Sequence, residues 1–181
     1  MAADMIPGDP KTTFSRLLEM VEGSEEVVIT KSGRRVASIA PPVAQVQRTF
    51  LDTNILVYSD DPRDPAKQQI ALQLLQAHLR QKTGVVSLQV LQEYFVTAKG
   101  KLRLDAALAK QRVEIFARFQ VTEPTVNDIL AAIDLHMLHG FSYWDALVLR
   151  MARQSGCRVV LSEDMQHGQA IDGVRIVNPF L

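Results

Sequence analysis

Residues 48–61 read "RTFLDTNILVYSDD", and Asp52 is the anomaly in them. The run "TFL" before it reads as a short strand buried on both faces. A carboxylate at the end of such a strand costs free energy unless a partner offsets it. No lysine or arginine adjoins it in sequence. The stretch also starts late, near residue 49, so a separate segment precedes it.

Downstream, short apolar strands alternate with helical patterns. "AKQQIALQLLQAHLRQK" carries Ile70, Leu74, Leu75 and Leu79 at helical spacing. "GVVSLQVLQEYFVTAKGKL" starts as a strand and continues as a helix with Leu88, Leu91, Tyr94 and Phe95 on one face. "LDAALAKQRVEIFARF" is a helix, and "QVTEP" is a short strand closed by Pro124. Two helices follow, ended by Gly140 and Gly156. "CRVVLSED" is a strand turning at Ser162–Asp164, and "GVRIVNPF" is the last strand. This alternation predicts an α/β fold, a parallel sheet with helices on both faces. In such sheets ligands bind at the carboxyl ends of the strands.

Four acids bear on that rule. Asp52 and Asp164 follow strands, while Glu93 and Asp145 sit on helices that a compact α/β fold can bring alongside. Each also has a local structural reading. Asp52 caps a helix starting at Thr53, and Ser142 with Asp145 makes an S-x-x-D capping box. Asp164 is a turn residue, and Glu93 is a solvated helix position. As a set they read differently. Converging carboxylates without basic partners repel one another, and a divalent cation such as Mg²⁺ resolves this. Such a site suits phosphodiester hydrolysis.

Four segments, "FLDTNILVY", "SLQVLQEYF", "SYWDALVL" and "LSEDMQHGQ", followed by "VRIVNPF", carry a resemblance. "DTN" alone is weak, but the ordered set resembles the PIN-domain family, in particular the VapC-like ribonuclease toxins of toxin–antitoxin pairs. It covers about residues 49–181. It implies an α/β/α sandwich and Mg²⁺- or Mn²⁺-dependent endoribonuclease activity on single-stranded RNA. Carried over by motif, Asp52 and Asp145 are the surest metal ligands, and Glu93 and Asp164 complete the catalytic set. Asn54 and Ser162 are polar supports. The implied partners are an RNA substrate, a cognate antitoxin and a second copy of the chain. Lys99, Lys101 and Arg103 in "KGKLR" read either as RNA-backbone contacts or as a solvated helix end.

The leader has its own pattern. "TTFSRLLEMVEG" predicts a helix with Phe14, Leu17, Leu18 and Val21 on one face. Two strand-like runs then flank Ser32–Gly33, a good two-residue hairpin loop. "FSRLLEMVEGSEEVVITKSGRRVASIAP" resembles the N-terminal domain of Phd/YefM-type antitoxins, without that family's first strand or inhibitory extension. The expected division is 1–42 leader, 43–47 linker and 48–181 nuclease domain. The leader dimerises the chain, restrains the nuclease, packs as a remnant, or binds operator DNA through Lys31, Arg34 and Arg35. An autoregulatory DNA-binding fusion protein is therefore the alternative function.

Composition sets bounds on these readings. The chain has 181 residues, 47% of them apolar, which supports a real core. Net charge is zero, with six residues of each sign up to residue 48 and fourteen of each beyond. Bulk charge therefore does not announce nucleic-acid binding, and recognition must use local patches or metal ions. No apolar run reaches membrane-span length and no signal peptide is visible, so a cytoplasmic address is the expectation. The lone Cys157 reads as a small core residue. No zinc-ligand spacing links the four histidines to cysteine, although His136 and His139 share a helix face and His167 lies near Asp164. No glycine-rich phosphate loop supports a small-molecule-binding α/β protein.

Overall fold

The computed structural model describes residues 27–31, 33–39 and 47–181. The chain divides into two units, 1–46 and 47–181.

In the first unit, β1 (Val27–Lys31) pairs antiparallel with β2 (Arg34–Ile39). Gly33 occupies the turn at φ +75°, a conformation glycine adopts without steric cost. The register runs from Val27↔Ile39 to Lys31↔Arg34, with an irregularity between Ile29 and Thr30. The expected hairpin is therefore present. The leader helix expected before it, and most of the expected linker, lie outside the described residues.

The second unit is built on a six-stranded sheet. Its strands are β3 (Thr49–Leu51), β4 (Gly84–Ser87), β5 (Gln120–Thr122), β6 (Val159–Leu161), β7 (Ala170–Ile171) and β8 (Val174–Val177). Their spatial order is β5-β4-β3-β6-β8-β7. Every pairing is parallel except β7 with β8. The sheet is thus mostly parallel, and the antiparallel edge strand departs from the parallel sheet read in the sequence. β7 and β8 are joined by Asp172 and Gly173, both at positive φ, so the chain folds straight back.

β3 is central, and Phe50 and Leu51 are fully buried. Burying side chains of this size contributes about 2 kcal/mol each. Strand order reverses beside β3, since β4 lies on one side and β6 on the other. This is the switch point at which open α/β sheets place ligands.

Six helices flank the sheet among the described residues: α1 (Thr53–Ser59), α2 (Pro65–Gln81), α3 (Leu88–Gly100), α4 (Ala106–Phe116), α5 (Val126–His139) and α6 (Tyr143–Gln154). Polar N-caps start each one. Asp52, Asp64, Ser87, Asp105, Thr125 and Ser142 each accept a hydrogen bond from a first-turn N–H. Gly140 closes α5 at φ +71°. The α6 core face, Ala146, Leu147, Val148, Leu149, Met151 and Ala152, is buried, and the helix packs against α5, β4, β6 and β8. Among the described residues no helix is long and apolar enough to cross a membrane.

Candidate functional site

Three strand ends open into one place. Asp52 follows β3, and its N–H continues the ladder to Leu161 O (3.1 Å). Ser162 follows β6 and donates its own N–H to Val177 O (3.0 Å). Ser87 ends β4 and caps α3, the helix that carries Gln89 and Glu93. The first turn of α6 brings Asp145 to the same cavity of about 490 Å³. Asp52, Glu93, Asp145 and Asp164 all line it, with Thr53, Asn54, Gln89, Val96, Thr97, Lys101 and Trp144 among the other walls.

Asp52 is the fixed point of the site. It is 6% exposed. Oδ1 accepts the Thr53 N–H at 2.7 Å, and Oδ2 accepts the Ser162 hydroxyl at 2.6 Å and Asn54 Nδ2 at 3.3 Å. Burial pushes its pKa from 3.8 up to about 6, against the pull of these hydrogen bonds. The charges of Asp164 and Asp145 push the same way. Among the described residues no lysine or arginine is seen to pair with it, whereas Asp60, Asp61 and Asp128 each have an arginine.

The other acids are held differently. Glu93 accepts Thr53 Oγ1 at 2.6 Å and Gln89 Nε2 at 2.8 Å, so both of its oxygens are clamped. Asp164 is exposed and accepts Asn54 Nδ2 at 3.1 Å, while its N–H donates to Ser162 Oγ at 3.2 Å. Asp145 is half-buried, and its N–H donates to Ser142 Oγ at 3.1 Å. Among the described residues the reciprocal half of the expected capping box is not made, and no hydrogen bond to the Asp145 carboxylate is seen. A complete box forms instead at Thr125 and Asp128 of α5.

Hard oxygen donors of this kind suit Mg²⁺ or Mn²⁺. Asn54 and Gln89 sharpen the fit. Their amide nitrogens are committed to carboxylates, and Asn54 Oδ1 and Gln89 Oε1 are left buried without a donor. Among the described residues no three His, Cys, Asp or Glu side chains form a ready-made cage. Asp52, Glu93, Asp145 and Asp164 share the cavity lining without closing into such a cage.

Comparison with known proteins follows from this geometry. The PIN domain family profile matches residues 49–170. The chain belongs to the PIN-domain family. A comparison with curated proteins finds no match. Solved structures share the PIN fold at low identity. VapC20 of Mycobacterium tuberculosis, a sarcin–ricin loop cleaving toxin, is 20% identical over 62% of this chain and 86% of that one, at a TM-score of 0.53. A toxin–antitoxin complex from Klebsiella pneumoniae is 19% identical over 72% and 97%, at 0.54. DNA-bound VapBC from Salmonella typhimurium is 17% identical over 72% and 96%, at 0.53.

Around the cavity of this PIN domain, other expectations are placed as follows. Asn54 and Ser162 touch Asp52 directly. Of the "KGKLR" cations, Lys101 lines the cavity; Lys99 Nζ donates to Leu104 O at 3.2 Å instead, and Arg103 lies outside the cavity lining. His167 is also outside that lining, its Nδ1 accepting the Asn178 N–H at 3.0 Å. His136 Nδ1 bonds Phe141 O at 2.5 Å, and His139 packs on the Phe141 ring, so they form no metal pair. Cys157 is buried, and burial pushes its thiol up to about 12, as a core residue requires. Thr53, Gln89 and Trp144 were not singled out from sequence. Gln89 stands four residues before Glu93, a helical spacing that could have been noticed.

Proposed function

We propose that the PIN domain is a Mg²⁺- or Mn²⁺-dependent endoribonuclease of the toxin–antitoxin type. The observation that carries this reading is Asp52: a carboxylate buried without a basic partner among the described residues, in a cavity shared with three further acids. The family match at residues 49–170 supports it, as do the toxin names of proteins sharing the fold.

In this mechanism Asp52 and Asp145 are the main ligands, with Glu93 and Asp164 completing the set directly or through water. A bound divalent cation would supply Lewis acidity to the phosphate and make water more acidic. The chain's own residues do the positioning. Ser162 and Asn54 orient Asp52, and Thr53 and Gln89 hold Glu93. The attacking water gives up a proton to solvent. Water oxygen bonds to phosphorus, the P–O3′ bond breaks in line, and the O3′ leaving group takes a proton from solvent water. The products are a 5′-phosphate and a 3′-hydroxyl.

Purified full chain should cleave single-stranded RNA with Mg²⁺ or Mn²⁺ and not in EDTA, and Asp52→Asn should be inactive. Undiminished cleavage by Asp52→Asn, or by protein in EDTA, overturns the reading.

The proposed partners include an antitoxin and a second copy of the chain. One outer stripe of α5 supports self-association: Val126, Leu130, Ile133 and Met137 follow helical spacing and are 71%, 55%, 37% and 69% exposed. Light scattering on the full chain and on Leu130→Asp tests this; a monomer in both contradicts it. The alternative, an antitoxin-like DNA-binding leader, rests on the sequence resemblance of residues 14–41. A gel shift with upstream DNA decides it, and unshifted DNA contradicts it.

A further inference from the structure

The acidic cavity has walls that its carboxylates do not need. Trp144 precedes Asp145 in the first turn of α6, lines the cavity, and is 56% exposed. Tyr143 braces its ring edge-on, with centroids 5.1 Å apart and planes at 64°. From α3, Val96 lines the same cavity at 69% exposure. Lys101, the C-cap residue of α3, adds an exposed ammonium. Proton transfer and phosphate activation use charge and oxygen donors, and an indole supplies neither. An indole left in solvent also forgoes the burial that usually holds tryptophan. An apolar wall, an aromatic face and a cation around an acidic floor match three parts of one nucleotide: base, stacking surface and phosphate. The cavity volume of about 490 Å³ is sufficient for such a ligand.

We propose that Trp144 is a substrate-binding residue that stacks an unpaired nucleobase beside the scissile phosphate. Val96 completes the apolar wall, and Lys101 meets a neighbouring phosphate. The proposal rests on the nuclease reading above and names the substrate form: a single strand, or a base turned out of a duplex. A base stacked on the indole has left its own strand's stack, so intact duplex is excluded. Stacking tolerates every base because each has a π-face.

Trp144 is the chain's single tryptophan, so its fluorescence reports this contact alone. The full chain is titrated in Ca²⁺, an oxygen-ligated substitute for Mg²⁺ chosen to slow cleavage, with a single-stranded oligoribonucleotide and with the same strand carrying abasic positions. The intact strand should quench the indole and bind about 10-fold more tightly than the abasic strand, the usual scale of one base–aromatic stack. In Trp144→Ala, labelled-strand anisotropy should give equal affinities for the two strands. Equal affinities in the unaltered chain, or no quenching, overturn the proposal. An emission shift that follows protein concentration and ignores RNA also overturns it, assigning the indole to a protein interface. Mg²⁺ added afterwards separates the two readings. Quenching without cleavage leaves the stacking intact and removes the nuclease, whereas cleavage without quenching does the reverse.

Discussion

Asp52 and Asp128 occupy similar local positions with opposite electrical outcomes. Both are buried, at 6% and 1% exposure, and both serve a helix N-terminus. Asp128 takes Thr125 Oγ1 at 2.6 Å and the Thr125 N–H at 3.0 Å on one oxygen. Its other oxygen takes Arg150 Nε and Nη2, each at 2.8 Å. The Thr125 hydroxyl, with Arg150, holds its pKa below the ordinary value. Asp52 has hydrogen bonds but, among the described residues, no cation, and burial pushes it up to about 6. The scaffold supplies an arginine where a buried carboxylate only has to hold helices together. It withholds one where, on the proposed reading, a metal ion takes that place.

The largest expected effect separates the two directly. Asp52→Asn should reduce Mg²⁺-dependent RNA cleavage to background in a gel assay while the chain stays folded by circular dichroism. Arg150→Met should do the reverse. It leaves Asp128 buried without its cation and should cost about 4 kcal/mol in urea unfolding. Comparable activity losses from a folded Arg150→Met protein would blur the distinction.

A pH series sharpens it further. The folded-state pKa of Asp52, about 6, lies above its ordinary 3.8, so the folded chain holds this proton more tightly than the unfolded chain. The Asp52 contribution to stability should therefore fall as pH rises from 3.8 through 6, by about 3 kcal/mol at most. Asp128 has the opposite sign. Its lowered pKa gives stability present above its unfolded value and lost as pH falls through the folded one. Melting curves across this range, with Asp52→Asn as reference, should show the Asp52 contribution vanish in the variant. Smaller still is the effect of loosening Glu93. Gln89→Leu should weaken Mn²⁺ binding about 10-fold, as outer-shell changes do, measured by calorimetry. The surface pair Lys110–Glu114, 3.7 Å apart and exposed, marks the floor of the scale. Lys110→Ala should move unfolding by less than about 0.5 kcal/mol.

What was legible in the sequence follows the range of each interaction. The alternation of strands and helices is local, and it was readable from periodicity and glycine stops. Strand order is not local, so the placement of β3 between β4 and β6 had to come from the structure. The edge strand β7 spans two residues, too few to show a period. The capping box was sought at Ser142–Asp145 and forms at Thr125–Asp128, because both carry the same spacing and only tertiary contacts choose. That Asp52, Glu93, Asp145 and Asp164 face one cavity was implied by the family resemblance and not by the spacing of the residues. The Thr53–Glu93 bond, between residues 40 apart in sequence, was implied by neither. Nothing in the sequence marks Trp144 as exposed, and only the fold shows that the first turn of α6 leaves it 56% exposed.

On the proposed reading Asp52 is left without a basic partner among the described residues so that a divalent cation can bind beside it. Calorimetric titration of the full chain with Mn²⁺ at a pH above 7 tests this without requiring turnover. One saturable site per chain is expected, lost in Asp52→Asn and retained in Lys110→Ala. Equal Mn²⁺ affinity in Asp52→Asn, or no binding by the unaltered chain, would contradict it.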